Sequence, residues 1–366
     1  MVFRPSSRRR RGATAALAVA LASGVLAGCG QVEPHTAEHG TVVLRIGDSF
    51  PASHPIDVGG VIPFREYLEH HGPAVGLDVE YFANGQMGEQ GDMPALLRKG
   101  VVDLAPVSPA YVGTELPLSN VGDLPGLVPD ACVGADAVLD AMQPGKTLFE
   151  EELEPHGVRP LWVALVPDYE ILGTKRPIER PEQASGRLLR STGGVADRVV
   201  DHVGASGVSM PLGELFEAIS RDTVDGTVAS PVSIASYKLG EVLDFATIGA
   251  QLGSFTVTFS VSEGIWQQLT PEQQRVLREA AEVAQRGVCR SLTEAGETAV
   301  EEMRGQGVEL IEIGPKQRPA WDAVAEPVQQ SWAADLESIG LPGRRVLAEF
   351  EQSLAEAQQA RQGETR

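Results

Sequence analysis

The stretch LDVEYFANGQMGEQGDMPALLRKGVVDLAPVS, from Leu77 to Ser108, reads as strand, turn, helix and strand, and it decides the fold class. Residues 77–83 alternate apolar and polar side chains, as a half-buried strand does when successive side chains point to opposite faces. NGQMGEQG supplies a turn, and the helix MPALLRKG ends at Gly100, the residue type that most readily takes the left-handed conformation closing a helix. VDLAPVS, residues 102–108, is the next strand. Upstream, TVVLRIG (residues 41–47) is a continuous apolar run of the kind buried in a parallel sheet, and residues 64–70 suit a helix. A βαβαβ order implies a parallel sheet covered by helices on both faces.

A second α/β series starts with the apolar strand VRPLWVALVP, residues 158–167. EILGTKRPI, GRLLRST and GTVASP are short strands, VADRVVDHVGA and LGELFEAISRD have helical spacing, and SFTVTFSVS is a further strand. Two such series joined by crossing strands predict two lobes around a cleft. Thr270, Pro271 and Gln273 form a helix start: an N-cap, a proline at the first helical position and the partner of a capping box. Apolar residues then recur at steps of three or four to Met303. An unbroken helix there would be about 50 Å long, enough to span both lobes, with Gly287 and Gly296 as its weak points. The tail after Leu341 turns polar and is expected to fray.

With 42% hydrophobic and 22% charged residues, the 366-residue chain is neither disordered nor collagenous. Its formal charge of −20 excludes a nucleic-acid partner, whose phosphates need Lys and Arg. Residues 1–28 carry five arginines, no acid and an apolar run from Ala13 to Gly28, the layout of a secretion signal. LAGC at Leu26–Cys29 resembles a bacterial lipobox, which implies acylation of Cys29 and a membrane-tethered, extracytoplasmic protein. The expected organisation is a signal peptide over 1–28, a tether over 29–40, lobe I over 41–167 and lobe II over 168–253. Residues 254–285 return to lobe I, 286–345 form the long helix and complete lobe II, and 346–366 are a C-terminal tail. Cys132 and Cys289 could be bridged or free.

Chemical motifs are sparse. GDSF at Gly47–Phe50 resembles the nucleophile block of GDSL-type esterases, but no histidine follows His202 to act as the base that family takes from its C-terminal end. His35, His39, His54, His70 and His71 lack metal-ligand spacing and read as surface residues, so no metal is expected. Glu150, Glu151, Glu152 and Glu154 read as a solvated helix face.

Several stretches taken in order are similar to the solute-binding proteins of tripartite ATP-independent periplasmic (TRAP) transporters, of the dicarboxylate-binding, DctP-like type. They are FANGQMGEQGDMPALLRKGVVDLAPVSPAYVG, LPGLV, GTKRPIERPEQASGRLLRSTGG, MPLGELFEAISRDTVDG and FSVSEGIWQQLTPEQQRVLREAAEVA, within a resemblance that extends over residues 42–303. The resemblance implies a two-lobed α/β fold of the periplasmic-binding-protein kind, with a hinge cleft and a long helix in the C-terminal half. It also implies capture of a small organic acid or zwitterion and its delivery to a membrane permease, with no reaction and no cofactor.

By that resemblance Arg190 falls where the family's carboxylate-binding arginine stands, and guanidinium offers carboxylates a planar two-pronged donor. Glu170 stands where some members have a second arginine, and would favour an ammonium- or amidinium-bearing solute. Ser230 replaces an asparagine before Pro231, and Leu212 takes the place of a covering aromatic, with Phe216 one turn on. Asp48, Ser49, Ser108 and Tyr111 are candidates by position, at the ends of the first and third strands. Two other readings stand beside this one: a secreted serine hydrolase using Ser49, and a ligand sensor that binds a solute for a signalling partner.

Overall fold

Two six-stranded sheets face each other across a cleft. The computed structural model describes residues 35–36 and 40–364; the signal peptide expected over 1–28 and the expected anchor Cys29 lie outside the described residues. In the first lobe a short strand β1 (His35–Thr36) pairs with β2 (Val42–Gly47), whose two edges carry β3 (Leu77–Phe82) and β4 (Leu104–Val107) in parallel. β11 (Phe255–Ser262) lies between β4 and β5 (Val158–Val166) and is antiparallel to both. The sequence order predicted a purely parallel sheet. The antiparallel strand arises because the chain re-enters this lobe from the cleft end, where β5 leaves it.

The second sheet runs β12 (Glu309–Glu312), β10 (Phe245–Ile248), β6 (Glu170–Gly173), β9 (Gly226–Ala229), β7 (Leu188–Ser191), β8 (Ser206–Ser209). Helices α1 (Ile62–His71), α2 (Met93–Arg98), α3 (Ala131–Ala141) and α6 (Glu263–Trp266) belong to the first lobe, and α4 (Val195–His202) and α5 (Leu215–Ser220) to the second. In the first core, Trp162 stacks on Phe259 with ring centroids 4.9 Å apart, and Phe64 packs against both. Leu172, Leu215, Leu239 and Met303 pack in a separate cluster in the second lobe.

The long helix α7 (Pro271–Gly305) is unbroken over 35 residues. The Thr270 hydroxyl accepts from the Gln273 N–H, and the Gln273 side chain accepts from the Thr270 N–H, closing the capping box. Its first half packs on α1, α3 and β5, and its far half reaches the Pro231–Ser233 turn and β12. Gly287 does not weaken it but permits contact: a Cβ there would collide with the Gly59 carbonyl in the wide helical turn Asp57–Val61 that leads into α1. A disulfide between Cys132 and Cys289 joins α3 to α7 across 157 residues of sequence, with Cα atoms 5.0 Å apart.

Two further expectations fail for the same reason, burial against distant segments. The tail expected to fray is helix α9 (Gly343–Glu364), seated on α3, while α8 (Arg318–Ser338) sits on α4. Near its end Arg361 donates to Asp136 at 2.7 Å. Glu152 is buried, unlike its exposed neighbours Glu150 and Glu151, and accepts from the Leu118 and Ser119 N–H groups at 2.6 and 2.7 Å. Its carboxyl is pushed up to about 7 by burial, against the pull of those bonds.

At the cleft the chain passes between lobes at residues 167–169 and 249–254, and these two hinge segments are laced together. The Tyr169 N–H donates to the Gly253 carbonyl at 2.9 Å, and the Leu252 N–H to the Tyr169 carbonyl at 2.8 Å. Asp168, Gly249, Gln251 and Gly253 all take positive φ there, a cluster of special conformations at which a hinge can turn.

Candidate functional site

The carboxyl ends of β2 and β4 in one lobe and of β7 and β9 in the other converge on a narrow cavity between the lobes. Sites of open α/β sheets form at such strand ends, where loops take over from the buried sheet. Loop 48–56 brings Phe50 and His54, the turn after β4 brings Tyr111, and the hinge brings Tyr169. From the second lobe come Arg190 on β7, Ser230 after β9, and Tyr237.

Arg190 has no exposed surface. Its Nε donates to the Met210 carbonyl at 2.9 Å and its Nη2 to the Tyr111 hydroxyl at 3.0 Å. Nη1 has no hydrogen-bond partner, and no carboxylate lies within salt-bridge distance of the guanidinium among the described residues. A desolvated cation without a counter-charge is costly, so this group calls for an anion from outside the protein.

His54 was expected at the surface and is instead buried. Its Nδ1 accepts from the Ile56 N–H at 3.2 Å, which leaves the proton on Nε2 to donate to the Ser233 hydroxyl of the other lobe, also at 3.2 Å. Burial holds its pKa down at about 3, so the ring is neutral. The Tyr169 hydroxyl is likewise pushed upward by burial.

The lobes also touch where STGG lies against the first lobe. A Cβ on Gly193, whose φ is +95°, would stand 2.6 Å from the Ala110 carbonyl oxygen. The cleft is therefore shut, and only glycine permits that approach.

The residues singled out from sequence divide into three groups. Arg190, Tyr111, Leu212 and Ser230 line the cavity; the Ser230 hydroxyl also caps the next turn by accepting from the Val232 N–H at 3.3 Å. Ser49 lines an adjoining opening with Leu212 and Tyr237, and its hydroxyl has no hydrogen-bond partner among the described residues. The others face elsewhere. Asp48 accepts from the Tyr81 hydroxyl at 2.8 Å and the Phe50 N–H at 3.0 Å. Beside it the Asp57 carboxyl is pushed up to about 8, by burial and then by Asp48. Phe216 packs on the second lobe's core, and Ser108 is buried with its hydroxyl unpartnered.

Glu170 requires the largest correction. It is buried, but it points away from the cavity and into the hinge. Its carboxylate accepts from the Thr247 hydroxyl at 2.6 Å and from the N–H groups of Gly249, Ala250 and Gln251 at 2.8, 2.9 and 3.4 Å. A carboxylate occupied by four donors has no lone pair left for a solute cation.

Sequence reading missed Phe50, His54, Tyr169, Thr192, Ser233, Tyr237 and Phe255 on the cavity wall. One signal was present: aromatics make up only 5% of the chain, yet Phe50, Tyr111, Tyr169 and Phe255 all sit at a strand end or hinge.

Comparison with known proteins agrees with this architecture. The ectoine-binding periplasmic protein TeaA of Halomonas elongata is 23% identical over 307 residues, 82% of this chain and 86% of that protein. The C4-dicarboxylate-binding periplasmic protein DctP of Rhodobacter capsulatus is 26% identical over 282 residues, covering 75% and 81%. Among solved structures, a TRAP solute-binding protein from Bordetella bronchiseptica with bound mandelate superposes with a TM-score of 0.75 at 23% identity, covering 86% of this chain and 99% of that one. One from Rhodoferax ferrireducens with copurified benzoate gives 0.78 at 18% identity, covering 87% and 99%. No helix among the described residues is long and apolar enough to cross a membrane. Residues 59–335 match the profile of bacterial extracellular solute-binding protein family 7, most of the chain and the whole of the cleft between the sheets except loop 48–56, and to that family the chain belongs.

Proposed function

We propose that this protein captures a small carboxylate-bearing organic solute between its lobes and delivers it to a TRAP-type membrane permease. The observation that carries this is Arg190: a fully buried guanidinium, two of whose nitrogens are held by the protein and whose Nη1 is left for the solute. Ectoine, C4-dicarboxylates, mandelate and benzoate, the ligands named for the related proteins, all bear a carboxylate. Capture breaks no bond and uses no cofactor. A lipid on Cys29 would hold the protein at the membrane outside the cytoplasm, where its permease lies; Cys29→Ser should then move it to the soluble fraction.

Mass spectrometry of small molecules released from the purified protein, followed by isothermal titration of Arg190→Ala, tests the reading. Loss of a desolvated charge partner should weaken binding by about 30-fold to several-thousand-fold. A folded Arg190→Ala protein that binds its solute unchanged would overturn it.

A further inference from the structure

The cavity wall carries one formal charge. Among the described residues Arg190 is the only Lys, Arg, Asp or Glu lining it, since Glu170 is turned into the hinge and Asp48 toward Tyr81. Several other polar groups on the wall are held by protein partners, whereas the Gln90 amide and the Tyr237 hydroxyl make no hydrogen bond among the described residues. His54 donates to Ser233, the Ser230 hydroxyl accepts from Val232, and the Tyr111 hydroxyl accepts from Arg190. Of the buried side-chain polar atoms on the wall, Arg190 Nη1 alone has no partner.

Beside Val166, Leu212 and Ala229, the apolar part of the wall is rings, arranged in two touching chains. Phe50, His54 and Tyr237 form one, with centroids 5.0 and 6.1 Å apart. Tyr111, Phe255 and Tyr169 form the other, at 5.6 and 6.5 Å. The first chain draws on both lobes and the second joins the first lobe to the hinge, so the ring lining is completed by Tyr237 only when the lobes meet.

On the reading that Arg190 grips a carboxylate, we infer that the solute is a monocarboxylate with an uncharged ring system as its body, held between the two chains of aromatic side chains. A second carboxylate would be buried with no counter-charge, and an ammonium group would share the cavity with Arg190 and find no acid. A polyhydroxylated body would lose more water contacts than the Gln90 amide and the Tyr237 hydroxyl, which line the wall without a partner among the described residues, could replace. Rings stack on rings at no such cost.

The test is isothermal titration of the purified protein, stripped of bound solute, with phenylacetate, hexanoate, succinate, glucuronate and ectoine. Phenylacetate should bind at least about 100-fold more tightly than succinate, glucuronate or ectoine. Tyr237→Leu should weaken phenylacetate about tenfold and hexanoate much less; Tyr237 is only half-buried, so the fold should tolerate the change. If succinate, glucuronate or ectoine binds as tightly as phenylacetate and Arg190→Ala abolishes it, this inference fails while the carboxylate-binding function stands. Binding of none of the five, with Arg190→Ala without effect on any released solute, overturns both. An unchanged ratio of phenylacetate to hexanoate in Tyr237→Leu removes the ring requirement.

Discussion

Arg190 Nη2 donates to the Tyr111 hydroxyl at 3.0 Å across the cleft, so the group that faces the solute also ties one lobe to the other. The bond exists only when the lobes are closed, and contacts made only in the closed state are what a ligand can use to drive closure. Tyr111→Phe keeps the charge of Arg190 and removes this tie. It should cost about 1 kcal/mol, or roughly fivefold in affinity. Arg190→Lys keeps the charge but loses both the planar fork and the Met210 contact, and should lose more than Tyr111→Phe. Titration calorimetry ranks the two, and the reverse order would show that geometry at Arg190 matters less than the tie.

Gly193→Ala separates closing from folding. Its φ of +95° costs an alanine about 1 kcal/mol wherever the lobes sit, but the clash with the Ala110 carbonyl arises only on closure. The variant should stay folded, bind solute at least tenfold more weakly, and show by X-ray scattering a radius of gyration that solute no longer reduces. Normal compaction on solute addition would show that the lobes meet elsewhere.

The neutral His54 makes closure sensitive to acid. Its pKa is held at about 3 in the closed protein against an ordinary 6.5. A lowered histidine pKa contributes its full stability above the ordinary value and loses it as the pH falls toward the depressed one. An open cleft exposes the ring and lets it take a proton, so affinity should fall about tenfold or more between pH 7.5 and pH 5. His54→Gln, which can still donate to Ser233 but cannot be charged, should flatten that profile. An equally steep profile in the glutamine variant would assign the effect to another group.

What could be read in the sequence was what local pattern encodes. The capping box at Thr270 and Gln273, the strand–helix–strand run from Leu77, and Arg190 at the end of its strand each depend on neighbours a few residues away. What could not be read depends on distant partners. His54 looks like any loop histidine until Ser233, 179 residues on, is placed against it, and Gly287 looks like a helix breaker until Gly59 is pressed on its face. Glu152 sits in an acidic run whose pattern gives no sign that this one side chain turns inward to Leu118 and Ser119. The register of the α7 helix was legible, and the disulfide beside it was not, because connectivity is a property of the folded chain.

Glu170 converts that lesson into a measurement. As a selectivity residue it would, on conversion to Gln, shift binding from zwitterions toward diacids and leave the fold alone. The geometry predicts the opposite pattern. The Thr247 hydroxyl and three N–H groups all donate to its carboxylate, and an acceptor-only group is what such a cluster needs. Glutamine would present an NH2 to at least one of those donors, leaving buried polar hydrogens opposed and unpaired, at a cost of about 1–3 kcal/mol. The strain would fall on residues 249–251, in one of the two laced hinge segments. Glu170→Gln should therefore lower the melting temperature by several degrees while keeping the same order of solute affinities. A variant with unchanged melting temperature and a new preference for diacids would return Glu170 to the binding site.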